Sequence, residues 1–290
     1  MYNYFISNKL IYEKQAGFLK GQSTVFQLID LYHQIVQSFD SKSHRCVVFC
    51  DISKAFDRLW HKGLIFKLKQ QGIRGSLLNW ISNYLGNRDQ RVIVAQSYSD
   101  VKHVKAGVPQ GSVLGPLLFL VYVNDITQNL LSIALSFADD TSLASTTLNI
   151  DDLQGIINHD LREISKWSKQ WLVTVNPDKT VALCFGNCQP PLLEFNNTVL
   201  STTLDHQHLG VTLSDDCKWH THINNICSSS SKILGILRKL KFSVKRNTLN
   251  QIYISFLRPI LEFYPVVWDN CSKYEKDRLE RMQLEAAIIN

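Results

Sequence analysis

The chain predicts an α+β fold, an antiparallel sheet backed by helices and followed by a helical, basic C-terminal region. Three observations carry this. Val47-Val48-Phe49-Cys50 is a continuous apolar run, the mark of a buried central strand, and it ends in Asp51. Two short apolar runs, 133–137 and 141–144, flank Asp139-Asp140, the pattern of a tight hairpin with two acids at its tip. Beyond Lys218 the apolar spacing turns helical over 223–240, 249–261 and 274–289.

Taken in order, residues 1–16 are mixed and read as helical, and 15–24 as a polar loop punctuated by Gly17 and Gly21. Ser23 or Thr24 can cap the next helix, whose apolar positions are Phe26, Ile29, Leu31, Ile35, Val36 and Phe39. After Asp51 a helix carries Phe56, Leu59, Trp60, Leu64, Ile65 and Leu68 and stops near Gly72; another spans 77–85. The runs 92–94 and 101–104 flank polar Gln96-Ser97 and read as a hairpin. Gly107-Val108-Pro109-Gln110-Gly111-Ser112 is a turn with backbone freedom at both ends, opening an apolar helix over 113–123 with Pro116 in its first turn. Asp151 or Asp152 is placed to cap a helix through Ile156, Ile157, Leu161, Ile164 and Trp167. Residues 172–175 and 181–185 read as strands around Asn176-Pro177-Asp178-Lys179, and 192–195 and 208–213 as two more.

With 290 residues, 45% apolar and 19% charged, the chain can build a sizeable core. Its apolar runs all fall short of the ~18 residues that a membrane span needs. The first residues lack the basic head and long apolar middle of a signal peptide. Seven scattered cysteines suit free thiols in a reducing compartment. From Lys218 onward twelve Lys and Arg stand against six Asp and Glu, so this tail holds the whole net charge of +6. Lys232, Arg238, Lys239, Lys241, Lys245 and Arg246 follow one another with no acid between, which suits a polyanion partner; a solvated helix face is the plainer alternative. The shift in composition puts a domain boundary near 215.

Two adjacent carboxylates repel unless a cation or water neutralises them, and an Asp-Asp turn by itself is ordinary. If the hairpin pairs beside the 47–50 strand, Asp51, Asp139 and Asp140 converge. Paired Mg2+ ions bridged by such carboxylates are the usual site of in-line phosphoryl transfer.

The segments 47–57 (Val-Val-Phe-Cys-Asp-Ile-Ser-Lys-Ala-Phe-Asp), 107–116 (Gly-Val-Pro-Gln-Gly-Ser-Val-Leu-Gly-Pro) and 137–140 (Phe-Ala-Asp-Asp) resemble the reverse transcriptase domain of non-LTR, LINE-type, jockey-like retrotransposons. Residues 15–24, 171–180 and His208-Leu209-Gly210-Val211 match in order and spacing, so the resemblance spans nearly the whole chain.

That resemblance implies a polymerase right-hand architecture: partial fingers over 1–45, a palm over 46–214 with a fingers-side insertion about 72–105, and a truncated thumb-like region over 215–290. It implies RNA-directed DNA polymerase activity on an RNA template, a DNA primer and dNTPs, with two Mg2+ ions or Mn2+ in their place, and a nuclear location for an active element. Asp51, Asp139 and Asp140 resemble the metal ligands, with the Ile52 carbonyl on the triphosphate metal. Phe56 matches the steric gate against a ribose 2′-hydroxyl, and Gln110 and Gly111 the turn beneath nucleotide and template. Lys179 matches a lysine that protonates or neutralises pyrophosphate; its plainer alternative is a surface turn lysine. His208–Val211 matches the strand that steadies the primer end, and the basic tail tracks the duplex. Asp57 reads as a helix-start acid and Asp125 as structural. Cys217, His220, His222 and Cys227 fit no usual zinc spacing, so no zinc is expected.

Departures from the family pattern are Leu19, where arginine is frequent, Ile288 in place of an arginine, and only sixteen residues before Gly17. They give the expectation of an N-terminally truncated domain that binds primer–template but polymerises poorly, with apolar surface exposed around Phe26 and Ile29. The competing readings are a silent remnant that only binds nucleic acid, and a two-metal nuclease, which leaves Gln110 and Phe56 without a role.

Overall fold

The computed structural model describes residues 1–41, 43–86, 88–186 and 189–289. Its centre is a five-stranded sheet in the order Ser201–Thr203, Val181–Phe185, His44–Cys50, Asp140–Thr147, Ile133–Phe137. Every pairing is antiparallel except that of Ser201–Thr203, which joins its neighbour in parallel. With its flanking helices this is the α+β architecture that the sequence predicts.

The central strand His44–Cys50 is apolar throughout because both faces of the sheet are covered. Cys46, Val48 and Cys50 enter one apolar cluster, while Val47 and Phe49 enter another on the opposite face. Helices Leu114–Val123, Ile150–Gln170 and His61–Gln70 supply the first cluster, through residues such as Phe119, Ile157 and Leu64. The helix Leu114–Val123 is buried from Leu118 to Val123, which is why it reads as a nearly uninterrupted apolar run. Helix Thr24–Asp40 covers the second face together with His220–Leu240 and Lys273–Ile289. The basic region therefore shares its core with Val47 and Phe49.

The first cluster encloses one cation. Lys67, buried, donates to the Tyr122 carbonyl at 2.6 Å and pairs with Asp125, which also accepts from Trp167 Nε1 at 2.7 Å. The ammonium lies 3.8 Å from the centre of the Trp171 ring. Burial pulls the Lys67 pKa down to about 8, opposed by the Asp125 charge.

Several local expectations are corrected. In helix Thr24–Asp40 the buried face is Gln27, Leu28, Leu31, Gln34, Ile35 and Ser38; Phe26 and Ile29 are exposed, as expected there, and Val36 and Phe39 of the same apolar set are exposed too. Apolar residues lie on both sides of this helix, and docking on the sheet decides which side is covered. The helix expected after Asp51 is two, Ala55–Arg58 and His61–Gln70, broken at Leu59-Trp60. Asn149 caps Ile150–Gln170 through its side-chain oxygen, leaving Asp151 and Asp152 in the first turn beside the helix dipole. Residues 172–175 are not a strand: Val175 forms an isolated bridge with Ile52, two residues past the end of the central strand. Residues 208–213 form a tight hairpin rather than one strand, because Leu209 and Gly210 both take left-handed φ values between Asp205–His208 and Val211–Ser214. Ser23 caps its helix as expected, accepting from the Phe26 N–H at 3.3 Å.

Candidate active site

Strand register brings two of the acids together. Cys50 pairs with Thr141, so Asp51, the next residue, stands across from Asp140 at the open end of the sheet. Phe137 pairs with Asp140, which leaves Ala138-Asp139 as a two-residue turn. Ala138 sits at φ 58°, a left-handed value that costs an L-residue roughly 1–2 kcal/mol. Asp139 is thereby lifted onto the tip beside Asp51 and Asp140.

The charge of Asp51 reaches both acids of the turn. Burial, and then the charge of Asp51, push the Asp139 carboxyl above the usual carboxylate range. Burial, then Asp139, then Asp51 do the same to Asp140. Asp51 is fixed from the neighbouring segment: its N–H donates to Thr180 Oγ1 at 3.4 Å, and its carbonyl accepts from the Asn176 N–H at 2.9 Å. Ser53 Oγ donates to Asp51 Oδ2 at 3.4 Å. The Ile52–Val175 bridge uses the Asp51 carbonyl and the Ser53 N–H, so the Ile52 carbonyl takes no part in it.

A cleft of about 200 Å³ opens here, lined by Asp51, Asp140, Thr141, Lys179, His206 and Leu209 among others. Lys179 is exposed at its rim, so the turn lysine and the acids do come together. His206 stacks on Phe49 with ring centres 4.2 Å apart.

Phe56, Gln110 and Gly111 form a second cluster that does not line this cleft. The Gly107 N–H donates to the Leu59 carbonyl at 2.7 Å and the Val108 N–H to the Phe56 carbonyl at 2.9 Å, which locks the turn onto the helix start. A Cβ at Gly107 would lie 2.7 Å from the Asp57 carbonyl oxygen, so only glycine fits. Gln110 Nε2 donates to Asp57 Oδ1 at 2.8 Å, giving Asp57 a partner beyond its place at a helix start. Phe56 stacks on Phe119 at 4.5 Å and meets Phe18 edge-on at 5.9 Å.

Within the basic stripe two cations are engaged: Arg238 pairs with Glu285, and Lys241 donates to the Ile288 carbonyl at 3.4 Å. Both contacts tie His220–Leu240 to Lys273–Ile289. Lys232, Lys239, Lys245 and Arg246 are exposed. His222, in the segment weighed for zinc, accepts from the Thr212 N–H at 3.2 Å.

Sequence reasoning missed Gln15, Ser53, Thr180 and His206. Thr180 left a signal, following the Asn176–Lys179 turn, and Ser53 lies two residues from Asp51, whose carboxylate it meets; Gln15 and His206 gain their places through contacts distant in sequence.

Among the described residues no three His, Cys, Asp or Glu side chains form a ready cage for a metal ion. Mg2+ in phosphoryl transfer takes one or two carboxylates with water and substrate phosphates. Three mutually repelling carboxyls at one sheet end supply that donor chemistry.

A family model described as reverse transcriptase (RNA-dependent DNA polymerase) matches residues 1–236. The chain is 29% identical over 293 residues to a probable RNA-directed DNA polymerase from transposon BS of Drosophila melanogaster, covering 96% of this chain and 32% of that protein. It is 28% identical over 295 residues to the RNA-directed DNA polymerase from mobile element jockey of the same species, covering 95% of this chain and 31% of that one. It thus spans about a third of the length of these relatives. In fold it is similar to apo telomerase from Candida tropicalis, with a TM-score of 0.51 at 12% identity, covering 99% of this chain and 53% of that one. A match over more than three-quarters of the chain, and relatives from non-LTR mobile elements along nearly all of it, place this protein in the reverse transcriptase (RNA-dependent DNA polymerase) family.

Proposed function

We propose that the chain performs RNA-directed DNA synthesis, transferring a nucleotide from a dNTP to a primer 3′-hydroxyl at the sheet end where Asp51 and Asp140 line the cleft and Asp139 stands on the adjoining turn. The primer oxygen bonds the α-phosphorus and pyrophosphate departs. The observation that carries this is the meeting of three carboxyls at one sheet end, two of them with raised pKa values. Two divalent cations, Mg2+ or Mn2+, would lower the pKa of the primer hydroxyl and offset charge on the phosphates. Asp51, Asp139, Asp140 and the Ile52 carbonyl would hold them.

Lys179, exposed at the cleft rim, would neutralise or protonate pyrophosphate. Phe56 would bar a ribose 2′-hydroxyl, and Gln110, steadied by Asp57, would underlie the nucleotide with Gly111. The hairpin turning at Leu209-Gly210 borders the cleft and would steady the primer end. Residues 1–45 are read as fingers, 46–214 as palm and 215–290 as thumb, whose exposed Lys232, Lys239, Lys245 and Arg246 would follow the RNA–DNA backbone. Arg238 and Lys241, engaged with the last helix, would serve chiefly to hold it.

Asp139→Asn tests the reading by primer extension on an RNA template with Mg2+. Extension should be lost and duplex affinity kept, since binding comes from backbone contacts elsewhere. Normal extension by this variant would overturn the ligand assignment. A parent chain that binds duplex and never extends is instead a nucleic-acid-binding remnant.

A further inference from the structure

The turn that carries Asp139 is braced from outside the hairpin. Residues 14–17 run beside strand Ile133–Phe137 in parallel: the Ser136 N–H donates to the Lys14 carbonyl at 3.1 Å, and the Ala16 N–H donates to the Ser136 carbonyl at 2.8 Å. This sets the Gln15 side chain, only 5% exposed, against the turn. Gln15 Oε1 accepts from the Ala138 N–H at 2.9 Å and from the Gly17 N–H at 2.7 Å. Gln15 Nε2 donates back to the Ala138 carbonyl at 3.4 Å. A Cβ at Gly17 would lie 2.2 Å from the Ala138 nitrogen, so the brace reaches the turn only because residue 17 is glycine.

Left-handed φ at an alanine is held only where the surroundings impose it. Here the imposing group is one amide that grips both polar atoms of the Ala138 backbone. The plane of the Ala138–Asp139 peptide sets where the Asp139 carboxylate points. Released from Gln15, the turn can relax to commoner φ values and swing that carboxylate away from Asp51.

We propose that Gln15 is a positioning residue for Asp139, fixing the turn so that its carboxylate meets a divalent cation shared with Asp51. The inference rests on the assignment of Asp139 as a metal ligand. Phe18, three residues on, meets Phe56 edge-on, so one short segment touches both the acid turn and the second cluster.

The test is Mn2+ binding to the full chain, read by water-proton relaxation, with thermal unfolding followed by circular dichroism and kcat and KM measured in primer extension. Gln15→Leu removes the amide at similar volume. It should weaken Mn2+ binding about 10–100-fold, the usual effect of removing an outer partner of a metal ligand, and lower kcat with the duplex KM unchanged. Parent affinity in folded Gln15→Leu overturns the proposal. If Gln15→Leu does not fold, Gln15→Asn, one methylene short with its amide intact, takes its place: weaker Mn2+ binding supports the proposal and parent affinity overturns it. Asp139→Asn is the control: unchanged Mn2+ affinity there means that the metal assignment itself has failed. Loss of binding in Asp139→Asn with none in Gln15→Leu removes the Gln15 inference alone.

Discussion

Single residues here have roles that their immediate sequence does not announce. Phe56 lies on the apolar side of a short helix, stacked on Phe119 and edge-on to Phe18, and that packing alone would justify its presence. Its place in the family's motif makes it a candidate for sugar selection, and its carbonyl holds Val108 while the next residue, Asp57, holds Gln110. Phe56→Val should raise ribonucleotide incorporation relative to deoxyribonucleotide at least about tenfold, the scale on which pocket shape discriminates small groups. The measurement is the ratio of kcat/KM for the two triphosphates. A variant that loses stability with an unchanged ratio returns Phe56 to the core.

Among the elements, the hairpin Asp205–His208/Val211–Ser214 and the helix His220–Leu240 carry a buried pH dependence. Burial, aided by His206, brings the His208 pKa down to about 3, and burial brings His222 to about 4. His222 Nδ1 accepts the Thr212 N–H, so the ring is neutral with its proton on Nε2. Both rings are uncharged in the folded state at pH 7 and carry no linkage cost there. As the pH falls through the ordinary value of 6.5, the unfolded chain takes up protons that the folded chain refuses, and stability drops until the folded pKa is reached. For His222 alone that loss is about 3 kcal/mol between pH 6.5 and 4. Urea unfolding at pH 7 and pH 5 should show the fall, and His222→Asn, which keeps an acceptor for Thr212, should flatten it. An unchanged slope in that variant would place the acid sensitivity elsewhere.

Across the molecule, charge and packing divide the C-terminal region between two tasks. Its apolar residues close the second face of the sheet, while Lys232, Lys239, Lys245 and Arg246 remain exposed. If those cations follow a nucleic-acid backbone, duplex affinity falls steeply with salt. Lys239→Ala with Lys245→Ala should lower the slope of log affinity against log salt by roughly two, about one for each phosphate that is no longer neutralised. Arg238→Ala should behave differently, because Arg238 is paired with Glu285: its main effect should be a lower Tm, with little change in slope. Equal slope changes for Lys239 and Arg238 in single variants would show that the pairing with Glu285 does not hold Arg238 back from nucleic acid.

The sequence by itself determined the strand that ends in Asp51, the hairpin that carries Asp139 and Asp140, and the Gly-rich turn before an apolar helix. Each is a local signal, a short apolar run or a turn residue, read within about ten positions. Tertiary structure decided which side of helix Thr24–Asp40 is core, since apolar residues lie on both sides and only the sheet selects between them. It turned 208–213 into a hairpin and took 172–175 out of the sheet, because pairing depends on where a segment passes the end of the central strand. It also decided that Gln15 grips Ala138 across 123 positions and that Gln110 meets Asp57 across 53. Polar contacts of that span leave no periodicity in the chain: a glutamine in a polar loop looks the same whether it faces water or holds the turn that carries Asp139.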